Sequence, residues 1–524
     1  MATKIVSLMV FISFSSSIFS TAQSKNGRGN IKWWCNTTPH PEPCKYFMSH
    51  SHQRFAPDHK SDFRRMLVQV AMDRALHGQR QVLRSGSNCV NKSQKGAWND
   101  CLKLYEDTVY QLNQTLQGLH GNQNCSDFDA QTWLSTAFTN LETCQDSAKD
   151  LNVTNFIFPL MSNNVSELIS NSLAINDGLM EGTSYRGGFP SWVSAGERKL
   201  LQSTSLATSA NLVVAKDGSG DFSSIQAAIN AAAKRTSSGR FIIYVKKGLY
   251  RENIEVGINV NNITLVGDGM KKTIITGSRS VRGGYTTYNS ATAGIQGLRF
   301  IARGITFKNT AGPKNGQAVA LRSSSDLSVF YHCAFQGYQD TLMVHSQRQF
   351  YRECYIYGTI DFIFGNAAVV FQQCMIFARR PLQGQANVIT AQGRGDPYQN
   401  TGISIHNSRI LAASDLKPVV GSFKTYLGRP WQRYSRTVIL KTYLDSLVDP
   451  SGWSPWGTSN FAQSTLYYGE YQNFGPSSST RNRVKWSGYH VITSATVASR
   501  FTVGSFIAGQ SWLPATRVPF TSGL

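Results

Sequence analysis

The strongest constraint on this chain is an internal repeat in its second half. Cys333, Cys354 and Cys374 lie 21 and 20 residues apart, and each follows an aromatic by three positions: Phe330, Tyr351 and Phe371. Two positions after the cysteines stand Phe335, Ile356 and Ile376; four after stand Gly337, Gly358 and Ala378. The stretch is rich in β-formers and has no helical crossover. Such a repeat predicts the coils of a single-stranded parallel β-helix, in which equivalent residues stack about 4.8 Å apart and the inward ones form apolar ladders.

Residues 211–524 share this texture, with β-rich runs at 241–245, 263–266, 300–307 and 318–321. One helix is expected at 224–233, behind the Gly-Ser-Gly turn at 218–220, where it would close the open end of the stack. Residues 24–176 read differently. Phe63, Met66, Leu67 and Val70 fall on one helical stripe, and Trp98, Leu102, Tyr105, Val109, Leu112 and Leu116 on a second. Trp133, Ala137, Phe138, Leu141 and Cys144 form a third, and Leu168 and Ile175 mark a fourth. Together they predict an all-α four-helix bundle. Cys35 and Cys44 would staple a hairpin at its start. A Cys101–Cys144 bond would tie its second and third helices, leaving Cys89 and Cys125 to pair with each other. Residues 177–210 read as a linker, with Arg198-Lys199-Leu200-Leu201 as a candidate processing site.

Lys4, the apolar run from Ile5 to Phe19, and the small residues Ser20, Thr21 and Ala22 have the pattern of a secretory signal peptide over 1–23, too short to span a bilayer. Glycosylation sequons stand at Asn36, Asn91, Asn113, Asn124, Asn152, Asn164 and Asn262. Six of the nine cysteines precede residue 150, and no CxxC pair suggests a metal centre. A glycosylated, disulfide-tied, secreted protein follows, with no metal or other cofactor expected. At 41% hydrophobic residues the chain can bury a core, which excludes a disordered or collagen-like polymer. Its net charge is +22, and from Asn211 onward 33 Lys and Arg face only 14 Asp and Glu. Without any groove-reading motif, that excess points away from nucleic acid and toward an extracellular polyanion.

Seven residues after the first two cysteine anchors come Asp340 and Asp361. Equivalent positions in neighbouring coils put both carboxylates on one face. Two such charges resist joint ionisation, so one pKa rises and the other must be held down by a cation. A general acid/base beside a nucleophile requires that division. Spacing alone fits equally an Asp ladder on turn amides or a Ca²⁺ site. Asp361, however, sits among Ile360, Phe362 and Phe364, where a carboxylate needs a partner. Arg429, in Tyr-Leu-Gly-Arg-Pro-Trp (426–431), is the candidate.

These motifs resemble those of the plant pectin methylesterases (pectinesterases). The likeness rests on Gly-Gln-Ala-Val-Ala-Leu-Arg (316–322), Gly-Tyr-Gln-Asp-Thr-Leu (337–342), Gly-Thr-Ile-Asp-Phe-Ile-Phe-Gly-Asn (358–366), Ile-Thr-Ala-Gln-Gly-Arg (389–394) and the Arg429 motif, in the family's order. Residues 24–176 resemble the inhibitor domain that precedes the enzyme in many plant precursors. The resemblance implies a right-handed β-helix and hydrolysis of galacturonate methyl esters to pectate and methanol. It implies Asp361 as nucleophile, Asp340 as acid and then base, Gln317 and Gln339 as oxyanion donors, and Arg429 fixing Asp361. Thr287 and Trp431 become substrate contacts, Trp431 by stacking on a sugar. Met343 departs from the aromatic usual in the family. Of the three β-helix cysteines, Cys354 and Cys374 are expected to bond, although Cys333–Cys354 stacks as feasibly.

The expected partners are methyl-esterified homogalacturonan and other acidic wall polysaccharide, a processing protease and inhibitor proteins; the expected location is the cell wall. The bundle, tethered at high effective concentration, would restrain the enzyme until the linker is cut. The competing readings are a pectate lyase or polygalacturonase, which need a Ca²⁺ cluster or carboxylates around a glycosidic oxygen, and a wall-binding protein whose active part is the bundle.

Overall fold

The computed structural model describes residues 30–51, 56–120, 125–180 and 209–524. The signal peptide, Arg198–Leu201 and Asn124 lie outside the described residues. Seven helices run from Ile31 to Asp177: α1 (Ile31–Cys35), α2 (Pro41–Ser49), α3 (Lys60–Ser85), α4 (Lys92–Leu119), α5 (Asp127–Asp150), α6 (Thr154–Met161) and α7 (Val165–Asp177). The four long ones, α3, α4, α5 and α7, form the bundle around Phe63, Leu67, Leu104, Leu112, Leu134 and Leu168. The start of α4 is capped by the Asn91 side chain, which accepts from Gln94 N at 2.8 Å; α5 starts with a capping box between Ser126 and Asp129. Cys35 is bonded to Cys44, and Cys101 to Cys144. Cys89 and Cys125 are unpaired thiols, so a third bond in the bundle is not formed.

From Leu212 the chain winds into a right-handed parallel β-helix of three sheets with eleven, eight and seven strands. One coil shows the pattern: Ser328–Tyr331 enters the eleven-stranded sheet, Ala334–Gln336 the eight-stranded and Leu342–Val344 the seven-stranded. Every strand pairing in the three sheets is parallel, and the register matches the repeat, Phe330 with Tyr351 with Phe371 and Phe335 with Ile356 with Ile376. Inside, the rings of Phe330, Tyr351 and Phe371 stack at 4.7 Å per step. Helix Ile225–Ala233, capped by Ser224, packs Ile225, Ala228, Ile229 and Ala232 into the first coils.

Five successive coils turn from their first strand to their second through one left-handed residue. Gly304, His332, Glu353, Gln373 and Asn407 do this, with φ between 49° and 67°. The run at 300–307 is accordingly split at Gly304 into Ile301–Arg303 and Thr306–Asn309, and the run at 318–321 becomes a strand only from Leu321. Two of the three outer faces are covered. The C-terminal segment lays Phe501, Val503, Phe506 and Trp512 over the eleven-stranded sheet, and the bundle packs against Tyr288, Val319, Met343 and Phe364 beside the seven-stranded one.

Two expectations need correction. Cys333, Cys354 and Cys374 are all buried thiols, so neither Cys354–Cys374 nor Cys333–Cys354 is bonded. Parallel stacking points their Cβ atoms in one direction instead of toward each other. Their sulfurs bond backbone carbonyls, Cys354 Sγ to Phe330 O at 3.3 Å and Cys374 Sγ to Tyr351 O at 3.5 Å. Asn262 is 7% exposed, and its Nδ2 donates to Ser238 O at 2.7 Å, so the amide is turned away from any glycosylating enzyme. Asn36, Asn91, Asn113, Asn152 and Asn164 stand at the surface.

Thiol titration of the denatured, unreduced protein should therefore find five free thiols; three would mean that one of the pairs corrected here does form. Phe330→Ala, which removes a ring touching Phe300, Phe335 and Tyr351, should lower unfolding stability by about 3–5 kcal/mol, read from denaturant melts.

Candidate active site

Asp340 and Asp361 sit at equivalent bends, just before strands Leu342–Val344 and Ile363–Gly365, which pair in register. Both are left-handed, with φ of 59° and 50°, a conformation Asp tolerates better than most residues. Asp340 N donates to Ile360 O at 3.0 Å, tying one bend to the next. Gly358 is required three residues earlier, since a Cβ there would meet Phe362 Cβ at 2.1 Å. With Phe362 turned into the core, Asp361 faces the outer surface.

Arg429 reaches Asp361 with both arms: Nε donates to Oδ1 at 2.8 Å and Nη2 to Oδ2 at 2.5 Å. Burial pushes both carboxylic acids up. Asp361 and Asp150 drive Asp340 further in that direction, whereas Arg429 opposes the rise at Asp361. The pair therefore keeps its proton on Asp340 and its charge on Asp361. They open onto a cleft of about 270 Å³ that also takes in Gln317, Gln339, Thr287 and Trp431. All seven sequence-derived candidates are thus brought together. Trp431 packs against Phe364, with centroids 5.8 Å apart, and Gly393 lets it approach the chain, because a Cβ there would lie 2.8 Å from its ring. Met343 forms part of the same wall and is 2% exposed.

Some of the lining was not foreseen. Trp456 stands with Arg429, whose guanidinium carbon lies 4.4 Å from the indole centroid, a cation–π contact. No motif marks Trp456; its tryptophan identity was the only signal. More consequentially, the other wall of the cleft belongs to the bundle. Thr143, Asp146, Ser147, Lys149 and Asp150, from the end of α5, line it, and Asp150 Oδ2 accepts from Thr287 N at 2.7 Å. Further along, Thr143 Oγ1 lies 2.8 Å from His345 Nε2, and Asp129 pairs at 2.7 Å with Arg348, which Asp326 also grips at 2.6 Å. Burial lowers the His345 pKa to about 3, so this ring is a neutral contact and not a proton carrier. Among the described residues no cluster of His, Cys, Asp and Glu could hold a metal ion, and no helix is long and apolar enough to cross a membrane.

The fold and cleft together describe a parallel β-helix whose outer groove holds Asp340 and Asp361 beside Arg429, walled by a helical module. Comparison with known families narrows this. A family model described as "Pectinesterase" matches residues 211–510, and "Plant invertase/pectin methylesterase inhibitor" matches 29–175. The chain is 62% identical over 513 residues to the Arabidopsis thaliana protein named "Probable pectinesterase/pectinesterase inhibitor 33", covering 95% of this chain and 86% of that one. It is 57% identical over 521 residues to "Pectinesterase 2" of Citrus sinensis, covering 99% and 100%. Among solved structures it resembles the pectin methylesterase from carrot, at 56% identity and a TM-score of 0.60, over 62% of this chain and all of that one. The chain belongs to the pectinesterase family and joins a pectin methylesterase to an N-terminal inhibitor-like domain.

Proposed function

We propose that this protein removes methyl esters from homogalacturonan in the plant cell wall, with Asp361 as nucleophile and Asp340 as acid and then base. The two-armed Arg429–Asp361 contact beside a protonated Asp340 carries this reading. An Asp361 oxygen attacks the ester carbonyl carbon, and the Gln317 and Gln339 amides donate to the resulting oxyanion. Collapse breaks the bond to methoxide as Asp340 passes its proton to leaving methanol. The galacturonyl–Asp361 anhydride is then opened by a water that Asp340 deprotonates, restoring both carboxyl groups. Trp431 would hold the sugar ring by stacking.

Methanol release from methylated galacturonan tests the assignment. Asp340→Asn should slow it about 10²–10⁴-fold, and Asp361→Asn should abolish it. Full activity in Asp361→Asn would sink the scheme. Unsaturated ends would point to a lyase, and new reducing ends to a glycosidase.

The bundle suits a second role, as an internal restraint released by a protease cutting near Arg198–Leu201. Its Asp150 occupies the Thr287 amide, and Lys149 and Asp146, paired with each other, line the cleft that holds the two carboxylates. Cut protein that stays closed, or uncut protein as active as cut, would refute this.

Release should also depend on pH. Asp100 and Asp107 of α4 are buried against Thr286 and Gln296 of the β-helix, and burial lifts both from the ordinary 3.8 to about 6, with Lys103 and Arg322 opposing. Undocked, they would regain water and ordinary acidity, so docking takes up protons. The stabilisation is complete below pH ~4 and is lost as pH rises through about 6. Co-elution of the two halves of cut protein should fall across that window, and Asp100→Asn with Asp107→Asn should make the fall shallower.

A further inference from the structure

The eight-stranded sheet is the one outer face that no other described element covers. Its register sets two outward columns: Thr306–Ala334–Tyr355–Met375–Arg409–Tyr443 and Thr276–Lys308–Gln336–Tyr357–Phe377–Leu411. Half-buried aromatics fill the middle of both. Tyr357 and Phe377 stack at 4.7 Å with planes 7° apart, and Tyr355 faces Phe377 at 6.2 Å. Cations flank them. Arg409 lies 4.2 Å over the Tyr443 ring, and Arg379 3.8 Å over Tyr338. Lys308 and Arg251 extend the basic track toward the first coils.

None of the eight strands contains Asp or Glu. Asp415 and Glu353, at the margins, are already paired with Arg379 and Arg352. Thr276, Thr306 and Ala334 are buried, so the accessible track runs from Lys308 to Tyr443, about 24 Å. A half-buried aromatic patch rimmed by charge of one sign suits an interaction surface. A second copy meeting the same face would set cation against cation. A polymer alternating flat sugar faces with carboxylates would satisfy both features, its rings on the aromatics and its charges on Arg409 and Lys308.

We propose that this face is a second binding site, separate from the cleft, for de-esterified galacturonan. The inference rests on pectin being the substrate, and it places the reaction's own product on the far side of the molecule. Because the bundle lies elsewhere, the described residues leave this site open while the cleft is covered.

The test is binding of the full chain to polygalacturonate in affinity electrophoresis, at low and moderate salt. Tyr357→Ala with Phe377→Ala should weaken retention about tenfold. Arg409→Glu with Lys308→Glu, which replaces no aromatic residue, should do the same and reduce the salt dependence. Unaltered retention in the charge-reversed protein with an unchanged melting temperature would overturn the proposal. So would a change of sedimentation mass in the variants, which would make the face a self-contact. Methanol release from a short methylated oligomer by cut protein should be unaffected in both variants. Failure of the wild type to release methanol would refute the proposed reaction and leave the binding result standing by itself.

Discussion

The two-armed contact of Arg429 on Asp361 exists only because successive coils keep register. Asp361 leaves the core at a bend fixed by Phe362 beneath it, while Arg429 arrives on the chain just after strand Thr425–Gly428, two rungs along the same sheet. A slip of one residue anywhere between them would turn one partner inward. The stacked rings of Phe330, Tyr351 and Phe371 and the column of three thiols hold that register from inside. The apolar ladder and the acid–cation contact are two outcomes of one periodicity.

Burial makes the contact chemically useful. In water two neighbouring Asp residues would both ionise and neither would be distinguished. Here desolvation raises both, and the guanidinium lets only one escape. The bundle deepens that desolvation, bringing Asp150 and Asp146 to an already acidic cleft and Glu142 close beside it, and burial pushes all three upward. A module that completes the cleft's dry wall also adds charge that resents being dry, so closure and proton uptake belong together.

Much of this was legible in the chain itself. The cysteine spacing fixed which residues share a column, and from that Asp340 and Asp361 were bound to be neighbours. Arg429 followed from the need to charge a buried acid. The thiols were misread because spacing gives the distance between rungs but not the direction of the Cβ bonds. Asn262 was misread because a sequon carries no information on burial. Trp456 and the Asp150 contact escaped because they depend on how loops and domains meet, which no periodicity encodes. The bends at His332, Glu353 and Gln373 were equally silent, since none is a glycine or proline.

The helical module precedes the coils in the chain, and this order has a temporal consequence. A polypeptide emerges from its N-terminus, and domains generally fold as units in that sequence. The bundle, whose bonded cysteines all lie within its own helices and the first hairpin, can be complete before Asp340 has been synthesised. Each new rung that carries a cleft residue is then laid down against a partner already waiting, so the newborn groove need never stand bare.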